Sequence, residues 1–235
     1  MNTKAPLLAL MFAASFLTFG CEGTGGSLGG SERPQYPNEV GTEYDTISGG
    51  YDAWHTSEEI TVGDTRAIIW GEGDRGVALA HGAAYDAASW EPQAQEMAHN
   101  GMMVLAVEDT SPENLIAAVE HLNEARGVER TALIGASAGA GAVLKAAEGN
   151  PVGMSQIILI SGVGDVSRLG EYPKLFVVSE GDSIADRERQ MAEQAPGQDN
   201  ELLILPGNVH SQAIFETDQG DKLMQAILER LRNYR

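Results

Sequence analysis

The sequence predicts an α/β fold, a mostly parallel central sheet flanked by helices. From Gly76 onward, short apolar runs of strand length alternate with longer segments of helical periodicity, the pattern of strand–helix crossovers feeding a parallel sheet. Within that alternation, Thr131–Gly141 reads TALIGASAGAG. Its apolar run stops at Gly135 and a small-residue helix pattern starts at Ala138, which puts Ser137 on a strand-to-helix corner. The 235-residue chain is 43% hydrophobic and holds 28 glycines, enough apolar material for one sizeable core and enough glycine for many tight turns.

Met1–Gly20 carries Lys4 as its only charge and an uncharged, mostly apolar run from Ala5 to Phe19. A bilayer span needs about 20 such residues, so the run fits the core of an export signal over 1–20. Thr18-Phe19-Gly20-Cys21 resembles the lipobox of bacterial lipoproteins, in which the cysteine is acylated and becomes the mature N-terminus. It departs from that pattern in having leucine four places before the cysteine and a bulky Phe19 where a small residue is usual. The resemblance implies lipidation at Cys21 and anchoring to the cell envelope. The alternative is ordinary cleavage and secretion. Residues 21–40 are rich in Gly, Ser and Pro near their start, with too little apolar surface to pack, and read as a tether to a domain over 41–235.

In that domain, Glu59–Val62 and Ala67–Trp70 are β-rich runs joined across Gly63-Asp64, which predicts an antiparallel hairpin at a sheet edge. Val77–Ala80 follows as a buried strand leading into His81-Gly82-Ala83-Ala84. Trp90–Asn100 has helical periodicity, and Met102–Val107 is the next strand. Ser111 suits an N-cap with Pro112 at the first helical position, opening a helix to about Arg126. After the Ser137 corner come a helix through Glu148, strands at Gln156–Ser161 and Lys174–Ser179, and a charged helix at Ile184–Gln194. A strand at Glu201–Leu205 and a helix at Asp218–Arg232 complete the pattern.

Gly135-Ala136-Ser137-Ala138-Gly139 is a G-x-S-x-G nucleophile elbow, in which glycines allow strand and helix backbones to crowd while the serine hydroxyl stays exposed. Gly25-Gly26-Ser27-Leu28-Gly29 fits the same letters but has no strand before it and no helix after it, so it reads as linker. With Ser137 stand Gly181-Asp182 after a later strand and Pro206-Gly207-Asn208-Val209-His210 after the last one. This set, with His81-Gly82 at the end of an early strand, resembles the α/β-hydrolase family from about Ile60 to the C-terminus. The family's chain order of serine, acid, histidine is kept.

The resemblance implies a Ser137, His210 and Asp182 triad, with Glu180 and Asp165 as competing acids. It also implies an oxyanion hole of backbone N–H groups from Ala138 and Ala83, with Ala84 as the alternative to Ala83. A serine hydroxyl is a weak nucleophile that needs a base, and the base an orienting carboxylate, which is why these three residue types travel together. His81 reads as shaping its loop. Many relatives insert a cap between the strands ending at Ser161 and starting at Lys174, and here there is no room for one. The expected activity is a serine hydrolase cleaving carboxylic esters through an acyl-enzyme, with a small-molecule ester and water as substrates. An amidase or peptidase with the same triad, or a non-catalytic binding protein on this fold, are the alternatives.

The formal net charge of -19 disfavours nucleic acid and anionic membrane surfaces as partners, leaving a membrane contact only through the N-terminal anchor. One cysteine permits no internal disulfide and no cysteine-based metal site. No phosphate loop and no metal-ligand spacing occurs, so neither cofactor nor metal is expected.

Overall fold

Alternation along the central strands divides their side chains between two cores: Ala78 and Ala80 pack into one, Val77 and Leu79 into the other. A computed structural model describes residues 56–233. The expected export signal over 1–20, the tether over 21–40, and with them Cys21 and Ser27, lie outside the described residues.

Strands β1 (Ser57–Val62), β2 (Thr65–Trp70), β3 (Arg75–Ala80), β4 (Met102–Val107), β5 (Arg130–Ala136), β6 (Met154–Ile160), β7 (Lys174–Ser179) and β8 (Asn200–Leu205) form one sheet. Their order is β1-β2-β4-β3-β5-β6-β7-β8. β1 and β2 make the expected antiparallel edge hairpin, with Val62 opposite Thr65, and β2 is antiparallel to β4. Every other neighbouring pair is parallel.

Helices α1 (Glu91–His99) and α5 (Gly220–Asn233) share the core of Val77 and Leu79 through Met97, Leu223 and Ile227. Helices α2 (Pro112–Glu120), α3 (Ala138–Glu148) and α4 (Ala185–Gln194) fill the other core through Leu115, Val143, Leu144 and Met191. A fully buried leucine or isoleucine among these contributes about 1.5–3 kcal/mol, so both faces of the sheet are held hydrophobically.

Ser111 caps α2, its hydroxyl oxygen accepting the Asn114 N–H at 3.4 Å. That helix is shorter than its periodicity suggests, because His121–Ala125 widens into a π turn. The wide turn coincides with a tertiary demand on Asn123, which accepts from Thr131 Oγ1 and donates to the Val152 carbonyl, both at 3.0 Å. The strand expected at Gln156–Ser161 lies at Met154–Ile160, and the structure adds two 3₁₀ turns, Ala87–Trp90 and Ser211–Glu216, to the expected elements. Lys174, the first residue of β7, is buried, and its ammonium donates to the carbonyls of Gly170, Tyr172 and Pro196 at 2.8, 2.7 and 2.6 Å. Burial pushes its pKa down to about 8.

Because β3 through β8 run parallel, the loops leaving their C-terminal ends gather on one edge. His81–Asp86, Ser137, Ser161–Gly164, Glu180–Ile184 and Pro206–His210 all lie there. The connection from β6 to β7, residues 161–173, contains no helix or strand, so no cap covers that edge from this point.

Candidate active site

Ser137 sits between β5 and α3 with φ 51 and ψ -111, a left-handed conformation that L residues rarely adopt. Such a conformation costs on the order of 1–3 kcal/mol and persists only where its surroundings enforce it. Here the Ser137 N–H donates to the Ile160 carbonyl at 2.9 Å, and the Ser137 carbonyl accepts the Gly141 N–H at 3.2 Å. The two elbow glycines are required by crowding. A Cβ on Gly135 would stand 2.5 Å from the Gly139 carbonyl oxygen, and one on Gly139 would overlap the Ala80 and His81 backbone at the end of β3. The start of α3 is thereby pressed against the loop that follows β3.

The last loop brings His210 to Ser137. Its Nε2 accepts the Ser137 hydroxyl proton across 2.8 Å, and its Nδ1–H donates to Asp182 Oδ2 across 2.7 Å. A carboxylate can only accept, so this pairing fixes the tautomer that leaves Nε2 as the acceptor facing the serine. The Asp182 side chain is 3% exposed and that of His210 46%, so the acid is enclosed while the imidazole reaches solvent. Asp182 Oδ1 also accepts the Ile184 N–H at 3.2 Å. Glu180 is exposed, and exposed Asp165 uses Oδ1 to accept the Ser167 N–H at 2.9 Å. Of the three acids weighed from sequence, the structure puts Asp182 on His210.

The sequence suggests that Gly181 serves a sharp turn through its backbone freedom. Its φ is not in the left-handed region. What glycine provides is room, since a Cβ would lie 3.1 Å from both the Asn208 Cβ and the Gly207 carbonyl oxygen. That close approach is joined by the Gly181 N–H donating to Gly207 O at 2.8 Å and by Ser179 Oγ donating to Val209 O at 2.6 Å. The acid loop and the histidine loop are thus held edge to edge.

Ala138 opens α3, where a first-turn N–H has no partner within the helix and carries part of the positive end of the helix dipole. Ala83 and Ala84 are the central residues of a turn closed by Tyr85 N–H to Gly82 O at 3.0 Å. Among the described residues, no hydrogen bond engages the N–H of Ala83, Ala84 or Ala138, and all three residues are exposed. His81 shapes this loop as expected. Its ring lies 2.9 Å from the Gly82 carbonyl and 2.9 Å from the Glu108 carbonyl, tying the end of β3 to the end of β4. Among the described residues, no group of three or more His, Cys, Asp or Glu is placed to hold a metal ion.

Two buried polar residues beside the site carry no sequence signal. One is Gln212, on the turn after His210. The other is Glu188 on α4, whose oxygens face the N–H groups of Gly162 and Val177 without a hydrogen bond of good geometry. Burial, with the Asp182 charge adding to it, pushes the Glu188 carboxyl up to about 9 from 4.5. Between those values the unfolded chain has ionised this group while the folded one keeps its proton, so unfolding releases a proton and stability falls as pH rises. The slope from this group is at most about 1.4 kcal/mol per pH unit. Glu188→Gln keeps the neutral shape and removes that slope. In urea unfolding at pH 5, 7 and 9 the variant is expected to gain on the wild type at each step, and a constant difference would show that Glu188 is ionised in the folded protein.

Neither a protein-family model nor a curated protein matches the sequence. Solved structures do match. A dienelactone hydrolase from Anabaena variabilis superposes with a TM-score of 0.64 at 19% identity, covering 76% of this chain and 97% of its own. A monoacylglycerol lipase from Paleococcus ferrophilus gives 0.63 at 17%, covering 72% and 98%. A thermostable carboxylesterase cloned from a metagenomic library gives 0.64 at 15%, covering 76% and 88%. Its eight-stranded, mostly parallel sheet with flanking helices superposes on these proteins over about three quarters of the chain, and the chain has the α/β-hydrolase fold.

Proposed function

We propose that the protein is a serine hydrolase that cleaves carboxylic esters through an acyl-enzyme. The observation that carries this reading is the continuous line from Asp182 through His210 to Ser137, at 2.7 and 2.8 Å, with the N–H groups of Ala83, Ala84 and Ala138 left without a partner among the described residues. Ser137 Oγ attacks the ester carbonyl carbon as His210 Nε2 takes its proton, and Asp182 stabilises the imidazolium that forms. The resulting oxyanion receives hydrogen bonds from Ala138 and from Ala83 or Ala84. Collapse breaks the bond to the alkoxy oxygen, and His210 returns the proton to the departing alcohol. Water then gives a proton to His210, attacks the acyl carbon, and releases the carboxylic acid with Ser137 restored. The structural neighbours are a dienelactone hydrolase, a monoacylglycerol lipase and a carboxylesterase, which supports an ester over an amide.

The test is labelling by a fluorophosphonate, followed by a panel of acyl esters of increasing chain length and their matched amides. Labelling at Ser137 and turnover of esters only is the expected result, with short chains favoured because the connection from β6 to β7 supplies no cap. Each CH₂ buried in a deep pocket would add about 0.8 kcal/mol, so a steady rise in kcat/KM to long chains would contradict the open site. Amide turnover would favour a peptidase or amidase, and no labelling a binding protein. We further propose that Cys21 anchors the exported protein to the cell envelope. Cys21→Ser is then expected to move it from membrane to soluble fraction with activity intact, and unchanged fractionation would refute the anchor.

A further inference from the structure

Gln212 lies on the 3₁₀ turn directly after His210 and is 4% exposed. Its Oε1 accepts the Gly82 N–H at 3.1 Å, and its Nε2 donates to Ser89 Oγ at 2.9 Å. The direction of the amide is forced by its partners. A backbone N–H needs an acceptor, so the oxygen faces Gly82. Ser89 spends its own proton on the Asp86 carbonyl at 2.5 Å, so its oxygen is free to accept from the amide nitrogen. Ser89 is held a second time by its N–H, which donates to Asp86 Oδ1 at 2.8 Å.

One side chain therefore grips both ends of the segment after β3, at Gly82 and at Asp86–Ser89. Between those ends lies the turn carrying Ala83 and Ala84. Two further hydrogen bonds tie this segment to the end of β4, the His81 ring on the Glu108 carbonyl and the Ala87 N–H on Glu108 Oε2, at 2.9 and 3.2 Å, and neither reaches Gly82 N–H. Gln212 is itself well anchored. The neighbouring Ser211, at φ 63, donates its N–H to Ser161 Oγ at the end of β6 across 2.9 Å.

We infer that Gln212 is a positioning residue for the oxyanion hole, holding the Gly82–Ala84 turn at a fixed separation from the start of α3. The inference rests on the proposed role of Ser137 and its oxyanion donors. It couples the loop of the general base to the loop of the second oxyanion donor, so the two halves of the site keep one geometry. Donors act from about 2.7–3.1 Å of the position the oxyanion will occupy, so a displacement of a few tenths of an ångström weakens them, and removing one outright costs about 10²–10³ in kcat. Loosening one without removing it falls below that.

The test uses Gln212→Met, which keeps length but replaces the amide acceptor and donor by a weakly accepting sulfur, together with Ser89→Ala and the double variant in the full chain. Three outcomes are expected for Gln212→Met. Hydrogen exchange at the Gly82 amide rises at least tenfold. The kcat on a short acyl ester falls roughly 10- to 100-fold with KM within about twofold. The pH midpoint of kcat/KM stays at the wild-type value, because the His210–Asp182 pair is untouched. Ser89→Ala gives a smaller loss alone and none in the Gln212→Met background, and it keeps the proposal testable should Gln212→Met not fold. A folded Gln212→Met with wild-type kcat, or with Gly82 exchange unchanged, overturns the inference. So does a kcat loss accompanied by a shifted pH midpoint, which would mean action through His210. A wild type that turns over no ester defeats the proposed function instead, and Gly82 exchange still decides whether the clamp exists.

Discussion

Ser137→Ala is expected to lower kcat on a short acyl ester by roughly 10⁶, the scale seen when a serine protease loses its nucleophile. Every covalent step of the proposed mechanism passes through Ser137 Oγ, and among the described residues His210 hydrogen-bonds to no other hydroxyl. The fold should tolerate the change. Among the described residues the Ser137 side chain hydrogen-bonds only to His210, and its backbone bonds to Ile160 and Gly141 are kept by alanine. Alanine must adopt the same left-handed φ, so a loss of stability of about 1 kcal/mol or less is expected from backbone strain. Steady-state hydrolysis and thermal unfolding measured together check this. A variant that retains more than a hundredth of wild-type activity would show that another group is the nucleophile.

Asp182→Asn is the second large effect, a fall in kcat of about 10²–10⁴ with the fold retained. The size follows from the hydrogen bond to His210 Nδ1. An asparagine can present its NH₂ there, in which case Nδ1 becomes the acceptor and Nε2 carries the proton. That imidazole faces Ser137 with a donor and cannot take its hydroxyl proton. Even with the amide oxygen inward, the negative charge that stabilises the imidazolium is gone from an enclosed position, where it counts most. Glu180→Gln and Asp165→Asn, at exposed positions without contact to His210, are expected to stay within about twofold of wild type. Collapse of either of those, with Asp182→Asn near wild type, would reassign the acid.

What could be read from the residues alone was whatever is written locally. The central strands carry short apolar runs because they are buried on both faces, so Val77–Ala80, Met102–Val107 and Leu175–Val178 stand out without knowledge of their neighbours. The elbow at Ser137 is legible for the same reason, since the crowding that demands Gly135 and Gly139 arises within one strand–turn–helix unit and at its first contact. The order of Ser137, Asp182 and His210 along the chain, each just past a strand, follows from parallel strands that end on a common edge.

The tertiary structure alone decided the contacts that cross between loops. Asp182 and Glu180 are two residues apart in one turn, and only the approach of the β8 loop to Gly181 determines which carboxylate meets His210. Gln212 and Gly82 are 130 positions apart, and nothing in the sequence around either announces the bond between them. Glu188 and Lys174 look like surface charges by type, yet one is enclosed between α4 and the strand ends and the other in a cage of three carbonyls. The physical reason is common to all of these. Apolar periodicity records which face of an element is buried, whereas a polar side chain finds its partner only after the sheet has closed and brought distant backbone groups within hydrogen-bond reach.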